Sequence, residues 1–276
     1  MIWIGTKDHG LYKYNAEEGT YSNYAYDPKN KLGLSSSYIN ALFHDDYNVL
    51  WIGTAQGGIN KLDFTQKQFI NYTNNPYDSS SIGDNLVTAM LEDSKGNLWV
   101  SCYNMPLFKS TEKVNKSTVK NIKFLNLSNR FPLTKLDVVR CIFEDKKGLI
   151  WFGTDLSIVV YNPTNDSFKK IHFDGLVDAV PMYRKILQLD DHYLLFASNK
   201  IVIVENPWEQ NTQARIKIKS IVKLDADKIQ TVIYDKTKTL WFGTNNGLFK
   251  GRFNDGKISI VDHITDNKKD KIHLSS

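Results

Sequence analysis

A tryptophan between apolar residues, followed by a small pair such as Gly-Thr, recurs along this chain and limits its possible folds more than any other feature. The five clear copies are Ile2–Thr6, Leu50–Thr54, Leu98–Cys102, Ile150–Thr154 and Leu240–Thr244. The first four tryptophans are 48, 48 and 52 residues apart, and Leu194–Ser198 is a degenerate copy between the last two. A period of this length is typical of architectures in which each repeat is one supersecondary unit. The sequence therefore predicts a single array of repeats over residues 1–276.

Each repeat has the same plan of short apolar segments separated by turns. In the second repeat the predicted strands are 39–43, 49–54, 58–62 and 68–72. Four short strands joined by tight turns are the pattern of a β-propeller blade. We therefore predict an all-β fold, a β-propeller array of six consecutive four-stranded antiparallel blades. The first blade lacks its inner strand, and the array is expected to be part of a seven-bladed ring. The predicted repeats are 1–36, 37–84, 85–136, 137–181, 182–226 and 227–276.

The repeated tryptophans are predicted core residues. A strand buried on both faces forms a continuous apolar run, as in Leu50–Ile52, and a large ring there fills the space between neighbouring blades. The glycine that follows lets the next blade approach closely. Cys141 takes the position that holds Ala41 and Ala89 in other repeats. We therefore predict Cys141 and Cys102 as small buried residues, and a disulfide between them is not favoured.

Composition and charge argue against two classes of partner. The chain has 35 basic and 30 acidic residues, a net charge of +5, which is too balanced to indicate a nucleic-acid partner. The most basic stretch, Arg215–Lys219, alternates with apolar residues and is predicted to be the solvated face of an outer strand. No apolar run approaches the ~20 residues of a membrane span, so no membrane contact is predicted for this chain.

No catalytic or metal-binding signature stands out in the sequence. The six histidines are scattered without metal-ligand spacing, and no phosphate-binding glycine loop or nucleophile elbow occurs. Acidic pairs such as Glu92-Asp93 and Glu144-Asp145 recur at the same turn of successive repeats. A catalytic pair is needed once, whereas a turn is needed in every blade, so we interpret these pairs as structural. No catalytic residue, cofactor or metal is predicted.

The segments that vary between repeats indicate where a ligand would bind. One is the loop after the Gly-Thr pair, and the other is the link from the fourth strand of one blade to the next blade. Because successive strands of a blade alternate in direction, these two segments must emerge at the same end of the blades. Binding groups are commonly carried on loops of a rigid scaffold. The predicted ligand-binding residues are Lys7, Asp8, His9, Gln56, Tyr77, Tyr103, Asn104, Arg130, Asp155, Tyr183, Asn245 and Asn246.

The repeat unit resembles the two-component regulator propeller family. The resemblance is carried by Ser80–Val100 for the first half of the unit and by Leu50–Asp63 for the second half. Asn23-Tyr24 with Pro28 recurs as Asn71-Tyr72 with Pro76 and is similar to the link of that family. The resemblance is strongest over 1–160 and 227–250.

This resemblance implies a function that the residues alone do not. It implies the periplasmic sensor region of a hybrid two-component system that binds an oligosaccharide released from a polysaccharide. Further expected partners are the remaining blades of the same propeller and a second copy of the full-length sensor in a homodimer. Kinase and regulator parts would lie outside this chain. Because the chain begins and ends in mid-repeat, we expect it to be a piece of a longer sensor.

Two alternatives stay open from the residues alone. One is a propeller enzyme, of lyase or glycosidase type, acting at the variable loops. The other is a protein-interaction ring, for which Trp208 in the Asn206–Glu209 loop is the candidate anchor. A tryptophan folded back on its own blade is the competing interpretation of Trp208.

Overall fold

A computed structural model describes residues 2–16, 18–30, 32–46, 48–64, 68–115, 121–133, 137–174, 181–210, 215–226 and 228–265. These residues form 24 β-strands and one four-residue helix, α1 (Pro207–Gln210). The chain divides into two compact units, Met1–Val139 and Arg140–Ser276, which we call unit 1 and unit 2.

The first three sheets of the chain are antiparallel, and the strands of each sheet lie in the order of the sequence. Blade 1 consists of β1 (Ile2–Gly5), β2 (Leu11–Asn15) and β3 (Thr20–Tyr24). Blade 2 consists of β4 (Ile39–His44), β5 (Val49–Thr54), β6 (Ile59–Asp63) and β7 (Gln68–Tyr72). Blade 3 consists of β8 (Val87–Glu92), β9 (Leu98–Cys102), β10 (Phe108–Ser110) and β11 (Phe124–Asn126).

Three further sheets follow. Blade 4 consists of β12 (Val139–Glu144), β13 (Ile150–Thr154), β14 (Ile158–Asn162), β15 (Ser167–Asp174) and β19 (Arg215–Lys217). Blade 5 consists of β16 (Lys185–Gln188), β17 (Tyr193–Ala197), β18 (Ile201–Glu205) and β20 (Ser220–Val222). Blade 6 consists of β21 (Ile229–Tyr234), β22 (Thr239–Thr244), β23 (Gly247–Asn254) and β24 (Lys257–Ile264). The predicted all-β fold of six consecutive propeller blades, with a three-stranded first blade, is confirmed.

The fifth strand of blade 4 contains the basic stretch at Arg215, which lies at the edge of a sheet with Lys217 and Lys219 exposed, as the alternation predicted. Strand β14 pairs only with the first part of the eight-residue β15, as far as Ile171. Beyond that point, β15 pairs in parallel with β19, which sets Phe173 opposite Ile216. Ile216 is fully buried in the cluster that lies between blades 4 and 5. The stretch is therefore an added edge strand with a buried apolar side chain, and β20 is the outer strand of blade 5.

The tryptophans of blades 2, 3 and 4 confirm the core prediction. Trp51, Trp99 and Trp151 are fully buried, whereas Trp3 and Trp241 are half-buried. The Gly of the motif permits the close approach of the next blade. A Cβ placed on Gly53 would lie 2.8 Å from Cγ1 of Val87, which belongs to the next blade.

The recurring aspartates hold these tryptophans and their turns. Asp45, Asp93, Asp145 and Asp235 each accept a hydrogen bond from the indole N–H of the tryptophan six residues later, at 2.8–2.9 Å. The other carboxylate oxygen accepts the backbone N–H four residues later, so each aspartate also closes its own turn. The acidic pairs are therefore explained as turn residues.

Both cysteines are free and buried, as predicted. Burial raises the pKa of the Cys102 thiol and of the Cys141 thiol to about 12. Neither thiol is therefore a nucleophile at neutral pH.

Trp208 is folded back on its own unit. Its ring packs against the core cluster of blades 4 and 5. The Lys146 ammonium lies 4.5 Å from the ring centroid. Lys146 also donates a hydrogen bond to the Asp191 backbone oxygen. These contacts favour a folded-back tryptophan, although the ring covers the core between blades 4 and 5 and not its own blade alone.

Candidate ligand-binding rim

The variable loops and links do lie at one end of the blades within each unit. In unit 1 the Gly58 N–H donates to the Asn85 oxygen at 2.9 Å, and the Ala55 N–H donates to the Tyr38 oxygen at 3.0 Å. In unit 2 the Tyr183 N–H donates to the Thr154 oxygen at 2.9 Å. Each such bond joins a loop to a link. We call the joined loops and links of each unit its rim. Four of the predicted links, 26–36, 129–136, 174–181 and 266–275, lie wholly or partly outside the described residues, at 31, 134–136, 175–180 and 266–275.

The first loop of the unit 1 rim carries Lys7, Asp8 and His9, all exposed. Its backbone is fixed by Thr6, whose hydroxyl donates to the Gly10 oxygen at 2.7 Å and accepts the His9 N–H at 3.1 Å. The Lys7 ammonium lies 5.9 Å from the ring centroid of Tyr38 in the next link. The three predicted residues therefore present their side chains to solvent from a closed turn.

The second loop of unit 1 is a tight turn with Gln56 at its tip. Gln56 has a positive φ of 72° and is exposed. The Ser35 hydroxyl donates to the Gly57 oxygen at 2.7 Å, and the Ser35 N–H donates to the Asn60 side chain at 2.8 Å. Sequence reasoning missed Ser35 and Asn60 as the residues that fix this loop to the preceding link.

The third loop of unit 1 brings an aromatic ring and an amide side by side. Tyr103 is half exposed. The Asn104 amide donates to the Asp84 carboxylate at 2.7 Å, which ties the loop to the link before blade 3. Tyr103 and Asn104 were both predicted, whereas Asp84 was not.

Tyr77 is the most exposed large hydrophobic residue of the described unit 1 rim, with 98 % of its surface accessible. It lies on a turn that is held by Asn75, whose side chain accepts the Tyr77 N–H and whose backbone oxygen accepts the Asp78 N–H. Arg130 is also exposed, in the link that follows blade 3. A fully exposed ring on an ordered turn is a suitable platform for stacking.

The unit 2 rim differs from the prediction in the accessibility of two residues. Asp155 is 9 % exposed, and both of its carboxylate oxygens accept hydrogen bonds from the Arg140 guanidinium at 2.7 Å. Tyr183 is 4 % exposed and packs edge-on against Phe173 in the core of blades 4 and 5. Only the backbone of Tyr183 therefore contributes to the rim surface.

The blade 6 loop presents Asn245 and Asn246, both exposed. The Asn245 side chain accepts the Lys228 N–H at 3.1 Å, and the Asn246 amide donates to the Asp225 oxygen at 2.8 Å. His263 contacts the Asn246 oxygen and stacks on Phe249 with ring centroids 3.8 Å apart. The two asparagines are thus held on the link that precedes their blade.

Two arginines of unit 2 were missed by the sequence prediction. Arg140 is the second residue of β12, and Arg184 directly precedes β16. A comparison of the repeats could have revealed Arg140, because its position varies between blades. It holds Asn40 in blade 2, Thr88 in blade 3 and Gln230 in blade 6. Three of these strands have a register shift at that position, and a β-bulge re-aims a side chain.

The carboxyl group of Glu92, at the opposite end of unit 1, has a perturbed pKa. Partial burial, and then the charges of Asp45, Asp46 and Asp93, raise the pKa of Glu92 to about 7. This group lies at the Asp–Trp turns and not on the rim.

Within the described residues, no three His, Cys, Asp or Glu side chains are grouped to hold a metal ion. No helix in the described part of the chain is long and apolar enough to cross a membrane.

Comparison with known proteins identifies the repeat. Three segments match the family model described as two component regulator propeller, at residues 33–56, 81–104 and 135–155. Each segment begins in a link or just before the first strand and ends near the loop after the tryptophan strand, so it covers rim residues and core residues alike. A search of curated proteins finds no match.

Several solved structures share the fold. The extracellular domain of the putative hybrid two component system BT3049 from B. thetaiotaomicron is 20 % identical with a TM-score of 0.66, over 95 % of this chain and 39 % of that one. The corresponding domain of BT4673 from the same organism is 21 % identical with a TM-score of 0.54, over 99 % and 38 %.

A structure from another organism is similar to a comparable degree. PorZ, a surface component of the type-IX secretion system of Porphyromonas gingivalis, is 15 % identical with a TM-score of 0.66, over 89 % of this chain and 36 % of that one. The chain thus spans less than two fifths of the length of these three structures. The three matched segments, each with its Asp–Trp turn, show that these repeats are similar to the two-component regulator propeller repeat.

Proposed function

We propose that the chain is the ligand-binding part of an extracytoplasmic sensor, which recognises an oligosaccharide released during polysaccharide degradation. The signal would pass to transcription through kinase and regulator parts of a hybrid two-component system that lie outside residues 1–276. The proposal places the chain in the periplasm, and it assigns a homodimer to the full-length sensor. The family match and the two extracellular domains of similar fold support a sensor role.

The observation that carries the proposal is the set of exposed side chains on the unit 1 rim. Tyr26 and Tyr103 are about half exposed, Tyr77 is almost fully exposed, and the amides of Gln56 and Asn104 lie on the neighbouring loops. Tyrosine supplies large rigid contact area at a small entropic cost, and amides supply adaptable hydrogen bonds. Apolar ring faces with nearby amide donors and acceptors suit the CH faces and hydroxyl groups of a sugar.

The backbone of this surface is already fixed before a ligand binds. The Tyr77 turn is closed by Asn75, and the Asn104 loop is closed by Asp84. A preformed surface loses little conformational entropy on binding, which favours affinity for a small polar ligand. No group in the proposal performs chemistry, so the bound sugar is expected to dissociate unchanged.

The test is a binding measurement on the 276-residue chain with a panel of oligosaccharides from plant, host and microbial polysaccharides, read by calorimetry. The double change Tyr77→Ala with Tyr103→Ala is expected to weaken binding by about 5- to 150-fold, since aromatic contacts of this kind contribute about 0.5–1.5 kcal/mol each. Tyr21→Ala is the matched control, because Tyr21 is 73 % exposed on the outer strand of blade 1.

Two results would contradict the proposal. Binding of no member of the panel would remove the ligand class, and equal losses in the double variant and in Tyr21→Ala would remove the rim as the site. Chromatography of the recovered sugar separates a sensor from an enzyme, because a glycosidase or lyase would shorten it.

A further inference from the structure

Arg184 has a buried nitrogen that the protein does not satisfy. Among the buried side-chain nitrogen and oxygen atoms of the described residues, its Nε is without a hydrogen-bond partner. Buried donors in native proteins are nearly always paired, and each exception calls for a specific explanation. A charged donor is the costliest kind to leave unpaired.

The charged groups near Arg184, which are Arg140 and Asp155, do not supply a hydrogen-bond acceptor to its Nε. The Arg140 guanidinium grips Asp155 through two bonds of 2.7 Å, one to each carboxylate oxygen. Asp155 is thereby neutralised by Arg140, and the pair leaves the charge of Arg184 uncompensated. Burial, followed by the positive charge of Arg140, lowers the pKa of Arg184, and the negative charge of Asp155 opposes this only in part.

The location of these groups is part of the rim. Asp155 lies in the loop after the tryptophan strand of blade 4, and its backbone oxygen accepts the Met182 N–H at 2.9 Å. Met182 belongs to the link that precedes β16, and Arg184 lies two residues further along this link. The side chain of Arg140 is 26 % exposed and that of Asp155 is 12 % exposed, so a ligand on the unit 2 rim reaches this cluster from solvent.

Repeat comparison shows that the positive charge is not a requirement of the blade. The position of Arg140 holds Asn40 in blade 2 and Thr88 in blade 3, and both make hydrogen bonds within the protein. A residue needed for folding recurs in every blade, as the Asp–Trp pairs do. Arg140 and Arg184 instead lie in two consecutive blades of one unit, which is the arrangement expected of a single binding site.

We propose that Arg140 and Arg184 form a site for an anionic group of the ligand, a carboxylate or a sulfate ester. The proposal rests on the proposed function, and it narrows the ligand to an acidic oligosaccharide. The planar guanidinium fork binds such oxyanions through paired, charge-assisted hydrogen bonds. The anion would accept from the guanidinium of Arg184 at its accessible end and would lie opposite the Arg140–Asp155 pair, which orients Arg140 and keeps the net charge of the cluster at one positive unit.

The first experiment titrates the chain with three probes: tetragalacturonate, its fully methyl-esterified form and a sulfated chondroitin tetrasaccharide. At least one of the two acidic probes is expected to bind, and the methyl ester is expected to bind at least about tenfold more weakly than tetragalacturonate if the carboxylate is the recognised group. Arg184→Gln is expected to weaken binding of the acidic probe by about 10- to 100-fold, as for the loss of a hydrogen bond to a charged group. Arg252→Gln, an exposed arginine on β23, is the control and should change nothing.

A second measurement keeps the inference separate from the proposed function. The side-chain Nε–H signal of Arg184 is followed by NMR during titration with inorganic sulfate, with chloride at equal ionic strength as the reference. A saturable shift of this signal, lost in Arg184→Gln, supports the anion site even if no sugar binds.

The outcomes are distinguishable. Acidic probes that bind Arg184→Gln as well as the parent, or neutral sugars that bind more tightly than acidic ones, overturn the anion site and leave the sensor proposal in place. Absence of any sugar binding together with the sulfate-induced shift overturns the sugar ligand and keeps the anion site. Absence of both overturns both.

Discussion

Replacing Asp145 with alanine tests whether the recurring acidic pairs hold the blades together. Asp145 is 4 % exposed, and its carboxylate accepts three hydrogen bonds: from the Trp151 indole at 2.8 Å and from the N–H groups of Lys147 at 2.9 Å and Leu149 at 3.0 Å. Trp151 is fully buried, so its indole N–H would lose its acceptor without gaining access to water.

The magnitude follows from these three bonds. A buried donor left without a partner costs about 1–3 kcal/mol, and each backbone bond in a turn that water can reach costs about 0.5–1 kcal/mol. Asp145→Ala is therefore expected to lower the free energy of unfolding by about 3 kcal/mol. Lys147→Ala, an exposed change in the same turn, should stay within about 0.5 kcal/mol of the parent.

Urea unfolding followed by far-ultraviolet circular dichroism measures the stability of both variants. This signal is chosen because it stays usable when Trp151 is replaced in a second comparison. In a Trp151→Phe background the indole N–H is absent, so Asp145→Ala should cost about 1–2 kcal/mol less than in the parent. If Asp145→Ala is as stable as Lys147→Ala, or if its cost is the same in both backgrounds, the aspartate does not act through the tryptophan and our structural explanation is wrong.

Three further changes test packing and charge. Gly53→Ala should lower the free energy of unfolding by about 1–3 kcal/mol, because the new Cβ would lie 2.8 Å from Val87. Gly243→Ala should cost less, because the atom nearest to its new Cβ is 3.0 Å away. Equal chemical-denaturation midpoints for the two variants would contradict this. The folded-state pKa of Glu92 is raised from 4.5 to about 7, so the folded protein retains a proton that the unfolded chain loses, and stability should fall as the pH rises through that window. Glu92→Gln should remove this slope and raise stability at pH 8 by about 1 kcal/mol, after allowing for solvent screening of a half-buried group, with no gain at pH 4; thermal melts across pH check it. Arg184→Leu should raise stability by up to about 1 kcal/mol, because it removes a buried unpaired donor; a clear loss in a thermal melt would show that the guanidinium is already satisfied within the protein.

Much of the rim was accessible from the sequence because strand alternation is a local rule. The loop after the tryptophan strand and the link between blades were expected at one end, and bonds such as Gly58 to Asn85 place them there. Exposure of Tyr77 and Asn104 agrees with that expectation, whereas their binding of a ligand stays a prediction. Burial of Tyr183 was not foreseen, since a tyrosine in a link can turn toward the core or toward solvent, and the neighbouring Phe173 decides which.

Local patterns along the chain were enough to predict the blade. The period of the tryptophan motif, the turn aspartate six residues before each tryptophan, and the glycine after it are local features, and each is explained by contacts within one blade or with the next one. Contacts between residues that are far apart in the chain became known only from the packing of the sheets. Strand β19 joins blade 4 through the part of β15 that extends beyond its pairing with β14. Arg140, Asp155 and Arg184 converge because consecutive blades bring the start of an inner strand, a loop and a link to the same place. No periodicity encodes such a meeting, because it depends on how neighbouring sheets pack and not on the order of residues within any one of them.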